Sequence, residues 1–233
     1  MPLLRLLIGL ALLPSAAISL FTAAKTLGLL AAHSRPAAPF LAGILVCALA
    51  RIFLDFRRSC VGALSRRLYV FGHELTHALA AWSHGGKVHG FKVGDQGGHV
   101  DLSHSNALIA LAPYFVPLYT ALVVFFYRLL LWMNPTLGWD AAYYFSMGLT
   151  LSFHLIFTFD CLFNHEQPDL AAAGGVVFSL SLIGLANGAS VLLLLKILFP
   201  QTVALKGSFS QIAMLTVSFW RELFFLAQKG LRS

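Results

Sequence analysis

Apolar side chains gather along this chain into six runs separated by short polar breaks, at about residues 2 to 24, 38 to 55, 67 to 84, 106 to 133, 143 to 163 and 172 to 199. Crossing the hydrocarbon core of a bilayer takes about 20 residues of helix. Lipid offers the backbone no hydrogen-bond partners, so each run must satisfy its own N–H and C=O groups and is expected to be helical. The pattern predicts an all-α membrane protein with about six transmembrane helices. The first run is long enough to be an uncleaved span and is read so in preference to a secretory signal peptide, with Pro14 expected to kink it.

Two breaks carry structure of their own. Residues 85 to 105, GGKVHGFKVGDQGGHVDLSHS, place glycines on both sides of a Val/Phe/Val segment, and a Gly-Asp-Gln-Gly-Gly turn before His99-Val100-Asp101-Leu102. That is a β-hairpin signal. The second break, Phe163 to Asp169, is polar and contains Pro168, which disfavours helix at Gln167 and can open the next helix, leaving Asp169 in its first turn. Beyond Pro200, Gln211, Ser218, Glu222 and Lys229 recur at seven, four and seven, opposite Ala213, Trp220, Phe224 and Ala227. The expectation there is an amphipathic helix in the membrane interface. The chain thus divides into N-terminal transmembrane helices over 1–66, a core over 67–199 and an amphipathic tail over 200–233.

Composition supports the bilayer as solvent. Hydrophobic residues make up 58% of the chain and charged residues 11%, against about 45–50% and about 25% in soluble domains. The formal charge of +7 would raise nucleic acid as a partner of a soluble protein. Here the basic residues sit at segment ends, where they meet anionic head groups, and no nucleic-acid partner is expected. Arg57, Arg58, Arg66 and Arg67 make the connection from Phe56 to Arg67 cytoplasmic by the positive-inside rule, with both termini inside for six spans. Cys47, Cys60 and Cys161 are too scattered to suggest a disulfide framework or a thiolate metal site. Nothing in the sequence points to an oligomeric state.

The chemistry concentrates in His73-Glu74-Leu75-Thr76-His77. On a helix, positions i and i+4 lie on one face a turn apart, so both imidazoles can address one ion. Glu74 is placed to take a proton from a water whose pKa zinc lowers from about 15.7 towards 7. A histidine in an apolar helix is ordinarily a hydrogen-bonded core residue. Three ionisable groups in five positions of an apolar span are another matter, because each costs about 2.5 kcal/mol or more to insert.

A catalytic zinc takes three protein ligands. Asp169 is the first candidate for the third, and His154 and Asp160, in SFHLIFTFD, are its rivals. His154 could instead orient a ligand from outside the coordination shell. His84, His89, His99, His104 and His165 fall in or beside connections and are read as solvated. Gly148, Gly174, Gly175, Gly184 and Gly188 are read as points of close helix contact.

With HELTH in an apolar helix, a glycine-rich hairpin after it, Ser105-Asn106-Ala107-Leu108-Ile109-Ala110-Leu111-Ala112-Pro113-Tyr114 opening the next span and Gln167-Pro168-Asp169 later, the chain resembles the site-2 protease family. The likeness covers roughly residues 67 to 190 and is nearest the short bacterial branch without PDZ or CBS domains. It implies an intramembrane zinc metalloprotease of the bacterial inner membrane that cleaves membrane-protein substrates. Carried over, His73, His77 and Asp169 bind zinc and Glu74 is the general base. The family commonly reads Asn-Pro-x-x-x-Leu-Asp-Gly around its aspartate, where this chain has Asn164-His165-Glu166-Gln167-Pro168-Asp169-Leu170. The hairpin, near Val88 to Val93 or His99 to Ser103, is expected to hold unwound substrate by strand addition. The competing expectation is a non-proteolytic metal-binding scaffold or transporter, against which the presence of Glu74 counts.

Overall fold

The computed structural model describes residues 2–53, 59–94, 97–164 and 167–230. Arg57, Arg58, the Asp95-Gln96 turn centre, His165, Glu166 and Arg232 lie outside the described residues. The elements in order are α1 (Pro2–His33), a 3-10 turn (Arg35–Ala37), α2 (Ala38–Phe53), α3 (Cys60–Ser83), β1 (Val88–Gly94), β2 (Gly97–Leu102), α4 (Ala107–Phe115), α5 (Leu118–Met133), α6 (Asp140–Asn164), α7 (Pro168–Ala173), α8 (Val176–Leu198) and α9 (Leu205–Gly230). They form two compact units, Met1–Ser34 with Gly174–Ser233, and Arg35–Ala173.

Among the described residues, four helices are long and apolar enough to cross a bilayer, namely Leu3–His33, Arg35–Phe53, Asp140–Phe163 and Val176–Leu198. A fifth is reached if α4 and α5, bent by 71° at their junction, count as one span. Outward-facing aliphatic and aromatic side chains such as Leu3, Leu7, Phe21, Ile52 and Phe53 are exposed, as suits a protein whose solvent is lipid. The helix α3 is long enough at 24 residues, but Arg66, Arg67, His73, Glu74 and His77 lower its hydropathy, and it is not among the four.

Three expectations need correction. The run at 106–133 is not one helix: it breaks at Val116-Pro117, because Pro117 has no N–H to continue the ladder and its neighbour turns to extended backbone. The helix α3 begins at Cys60, so Arg66 and Arg67 lie within it and not in a loop. Ser59 caps it, its hydroxyl accepting from Gly62 N at 3.1 Å. The run at 172–199 is interrupted where Gly174 and Gly175 adopt φ of 139° and 101°, values that L side chains rarely reach. The short α7 before them is a separate element.

The first unit packs α1 on α8 and α9. A methyl at Gly188 would fall 2.2 Å from Ser19 Oγ, and one at Gly9 would fall 2.7 Å from the Phe178 backbone. Ala23, Leu192 and Ile212 form a small core where α9 touches the pair; otherwise α9 presents apolar side chains such as Phe224 and Leu226 outward. In the second unit α2 and α6 cross backbone to backbone, since Gly148 leaves no room for a methyl beside Phe40 O, 1.9 Å away, nor Gly43 beside Phe145 O, 2.1 Å away. Such contacts hold apolar helices together where lipid is as apolar as leucine. Gly175 is the exception to the expected close contacts: a methyl there would meet nothing within 4 Å, and its glycine serves the backbone turn.

The hairpin forms as expected. Strands β1 and β2 pair antiparallel, with Phe91 opposite Val100, Lys92 opposite His99 and Val93 opposite Gly98. Phe91 packs edge-on against Phe71 of α3, ring centroids 5.9 Å apart. The hairpin is thus laid on the helix that carries HELTH.

Candidate metal centre

Three side chains from two elements of the second unit converge on one point. From α3 come His73 and His77, one turn apart, with ring centroids 4.9 Å apart. From the first turn of α7 comes Asp169, its Oδ2 at 3.5 Å from His73 Nε2 and 3.4 Å from His77 Nε2. Among the described residues these are the three whose donor atoms all lie within 4.8 Å of one another. The short α7, opened by Pro168 and closed by Gly174-Gly175, is what returns Asp169 to the histidines.

The spacing has a chemical meaning. A charge-assisted hydrogen bond between imidazolium and carboxylate closes to about 2.7–2.9 Å. Two atoms each about 2.0–2.1 Å from one tetrahedral zinc are instead about 3.3–3.4 Å apart. The two separations at Asp169 match the second geometry, and the set of two imidazoles and one carboxylate is one that zinc accepts with a position left for water. The residues present therefore fit a metal.

Surrounding groups fix these side chains. The Nδ1 of His77 lies 2.9 Å from the carbonyl of Ile109. A carbonyl only accepts, so Nδ1 carries a proton, and in the neutral ring the lone pair is then on Nε2, the nitrogen turned to Asp169. Ile109 is free to accept for a reason written in the sequence. In α4 its carbonyl would pair with the N–H of residue 113, and residue 113 is Pro113, which has none. Asn106 secures the start of that helix, its side chain accepting from Ile109 N at 2.9 Å. The fully buried Tyr114 lies next along α4, its hydroxyl 2.9 Å from Asp169 Oδ2 and 2.6 Å from Gln167 Oε1. Gln167 in turn donates to Cys161 O at 3.1 Å. In the sequence Tyr114, Gln167 and Ile109 stand out only as parts of longer motifs, with no role of their own at the site. The available signal was a proline and a tyrosine side by side in an apolar run.

Glu74 is buried, at 8% exposure, and lies against the hairpin. A methyl at Gly98 would fall 2.4 Å from Glu74 Cγ and 2.8 Å from Oε1, so only glycine lets β2 lie this close. The two rival candidates are not part of the converging set. Asp160 pairs with Arg51 at 3.0 Å, both about one-third exposed, and joins α6 to α2. His154 is buried on α6 and lines a small cavity beside His73. Of the histidines read as solvated, His84, His89, His99 and His104 are exposed.

Comparison with known proteins places no relative beside this geometry. No family model, no curated protein and no solved structure matches the chain.

Proposed function

We propose that the protein is an intramembrane zinc metalloendopeptidase that hydrolyses peptide bonds in or near the transmembrane segments of other membrane proteins. The observation that carries this reading is the convergence of His73, His77 and Asp169 at ligand-to-ligand spacing, with Glu74 next in sequence to the first of them. His73, His77 and Asp169 would hold the metal. When bound, zinc acidifies a water and polarises the carbonyl of the scissile bond. Glu74 takes a proton from the attacking water and delivers it to the leaving amine nitrogen, so that one water is consumed and an acid and an amine are formed. Tyr114 holds Asp169 by its hydroxyl, and Ile109 holds His77 in the tautomer that ligation requires.

The bilayer is the second partner. In this reading α3 crosses it as a sixth span, its polar face turned to the protein, and Phe56 to Arg67 lies on the cytoplasmic side of a bacterial inner membrane. A transmembrane helix exposes no peptide bond until it unwinds, and an unwound strand needs hydrogen-bond partners. A hairpin edge supplies them. The close approach of Gly98 to Glu74 supports delivery of such a strand to the general base. A bare metal-binding scaffold has no use for Glu74 in that position.

The test is hydrolysis of a single-span membrane-protein reporter by the full chain in proteoliposomes. Cleavage is expected to stop on treatment with a zinc chelator and return on adding zinc. Cleavage indifferent to the chelator would remove the metal from the account.

A further inference from the structure

The two histidine ligands differ in what their second nitrogen meets. His77 gives its Nδ1 proton to Ile109 O at 2.9 Å. His73 turns Nε2 to Asp169, and its side chain is 10% exposed. Its Nδ1, on the far side of the ring, is buried and has no hydrogen-bond partner among the described residues. If Nε2 ligates a metal, Nδ1 must carry the ring proton, and a buried N–H without an acceptor is costly.

A cavity of about 20 Å³ lies beside His73, walled by Tyr69, Gly72, Thr76, Tyr119, Phe153 and His154, among others. One water needs about 10–15 Å³ and two to four polar partners. His73 offers a donor. Thr76 spends its hydroxyl proton on Gly72 O at 2.7 Å and keeps oxygen lone pairs. His154, 8% exposed, adds an imidazole from α6. Tyr119, Phe153 and apolar residues of α4 and its junction with α5 make up much of the remaining wall.

We propose that this cavity holds one water that accepts the Nδ1 proton of His73 and is held in turn by His154, which makes His154 a positioning residue for the metal ligand and not a ligand. The inference rests on the metal reading above. It gives the site a matched outer shell, a carbonyl behind His77 and a water behind His73, and it explains a buried histidine on α6 that no step of hydrolysis uses.

The test is zinc affinity, measured by chelator competition on the detergent-solubilised full chain. His154→Ala is expected to weaken zinc about 10- to 100-fold, the cost typical of losing an outer partner of a ligand, while zinc still binds in equimolar amount at saturation. His154→Gln, which keeps hydrogen-bonding groups, is expected to restore most of the loss. Unchanged affinity in His154→Ala overturns the proposal, and so does complete loss of zinc, which would make His154 a ligand. Wild-type protein that binds no zinc would sink the metal reading and this inference with it, whereas a wild-type site with normal affinity and an indifferent His154 sinks the inference alone. A high-resolution map of the wild type tests the same point without any variant: density for one water within hydrogen-bond distance of His73 Nδ1 is expected, and a dry cavity contradicts it.

Discussion

Glu74→Gln is expected to abolish peptide hydrolysis while leaving zinc bound in equimolar amount. Glutamine keeps the shape of the side chain beside Gly98, where a methyl would come 2.4 Å from Glu74 Cγ, so the packing of the hairpin on α3 is retained. It removes the carboxylate to which the proposed mechanism assigns proton transfer from water to the leaving nitrogen. General acid–base catalysis of this kind is worth about 10²- to 10⁴-fold, so the turnover rate should fall by at least about 100-fold. Zinc content, measured on the same preparation by atomic spectrometry, should match the wild type, because Glu74 is not one of the three converging residues. Retained cleavage in this variant would refute the assigned mechanism. Loss of zinc together with cleavage would show that Glu74 ligates.

The second large effect belongs to Asp169→Ala. Its carboxylate is the only one of the converging groups that comes from outside α3, so its loss leaves two imidazoles on one helix. Two ligands do not hold a zinc against competition, and the loss of affinity should exceed the about 10- to 100-fold cost of an outer-shell change. Asp160→Ala is the control: it breaks the ion pair with Arg51 across α2 and α6 and is expected to leave zinc affinity unchanged. The reverse result, zinc kept in Asp169→Ala and lost in Asp160→Ala, would reassign the third ligand.

The parts of this site that were legible in the sequence are those set by local rules. The turn-spaced histidines follow from helical periodicity, the hairpin from its glycines, and the placing of Asp169 in a first turn from Pro168. What was not legible depends on partners distant along the chain. Tyr114 and Asp169 are 55 residues apart, His77 and Ile109 are 32 apart, and Arg51 and Asp160 are 109 apart. No local pattern ties such pairs together. The break between α4 and α5 was a different kind of miss: hydropathy integrates over the whole run from 106 to 133 and does not register that Pro117 interrupts it. The start of α3 was misjudged because four arginines read as a loop, although Ser59 already carried the capping signal.

The proline at position 113 joins the two kinds of information. Locally it is a helix breaker, and in the sequence it marks only a motif. In the fold it frees the Ile109 carbonyl that fixes the tautomer of His77. A residue unfavourable to its own helix thus stands where the carbonyl it frees meets His77.

Zinc K-edge X-ray absorption on the purified, zinc-loaded full chain bears most directly on the central claim. A first shell of nitrogen and oxygen alone at about 2.0–2.1 Å, with the outer-shell signature of two imidazoles, is the predicted result. A sulfur contribution at about 2.3 Å, which would bring in a cysteine, or a shell with one imidazole or none, would contradict a site built from His73, His77 and Asp169.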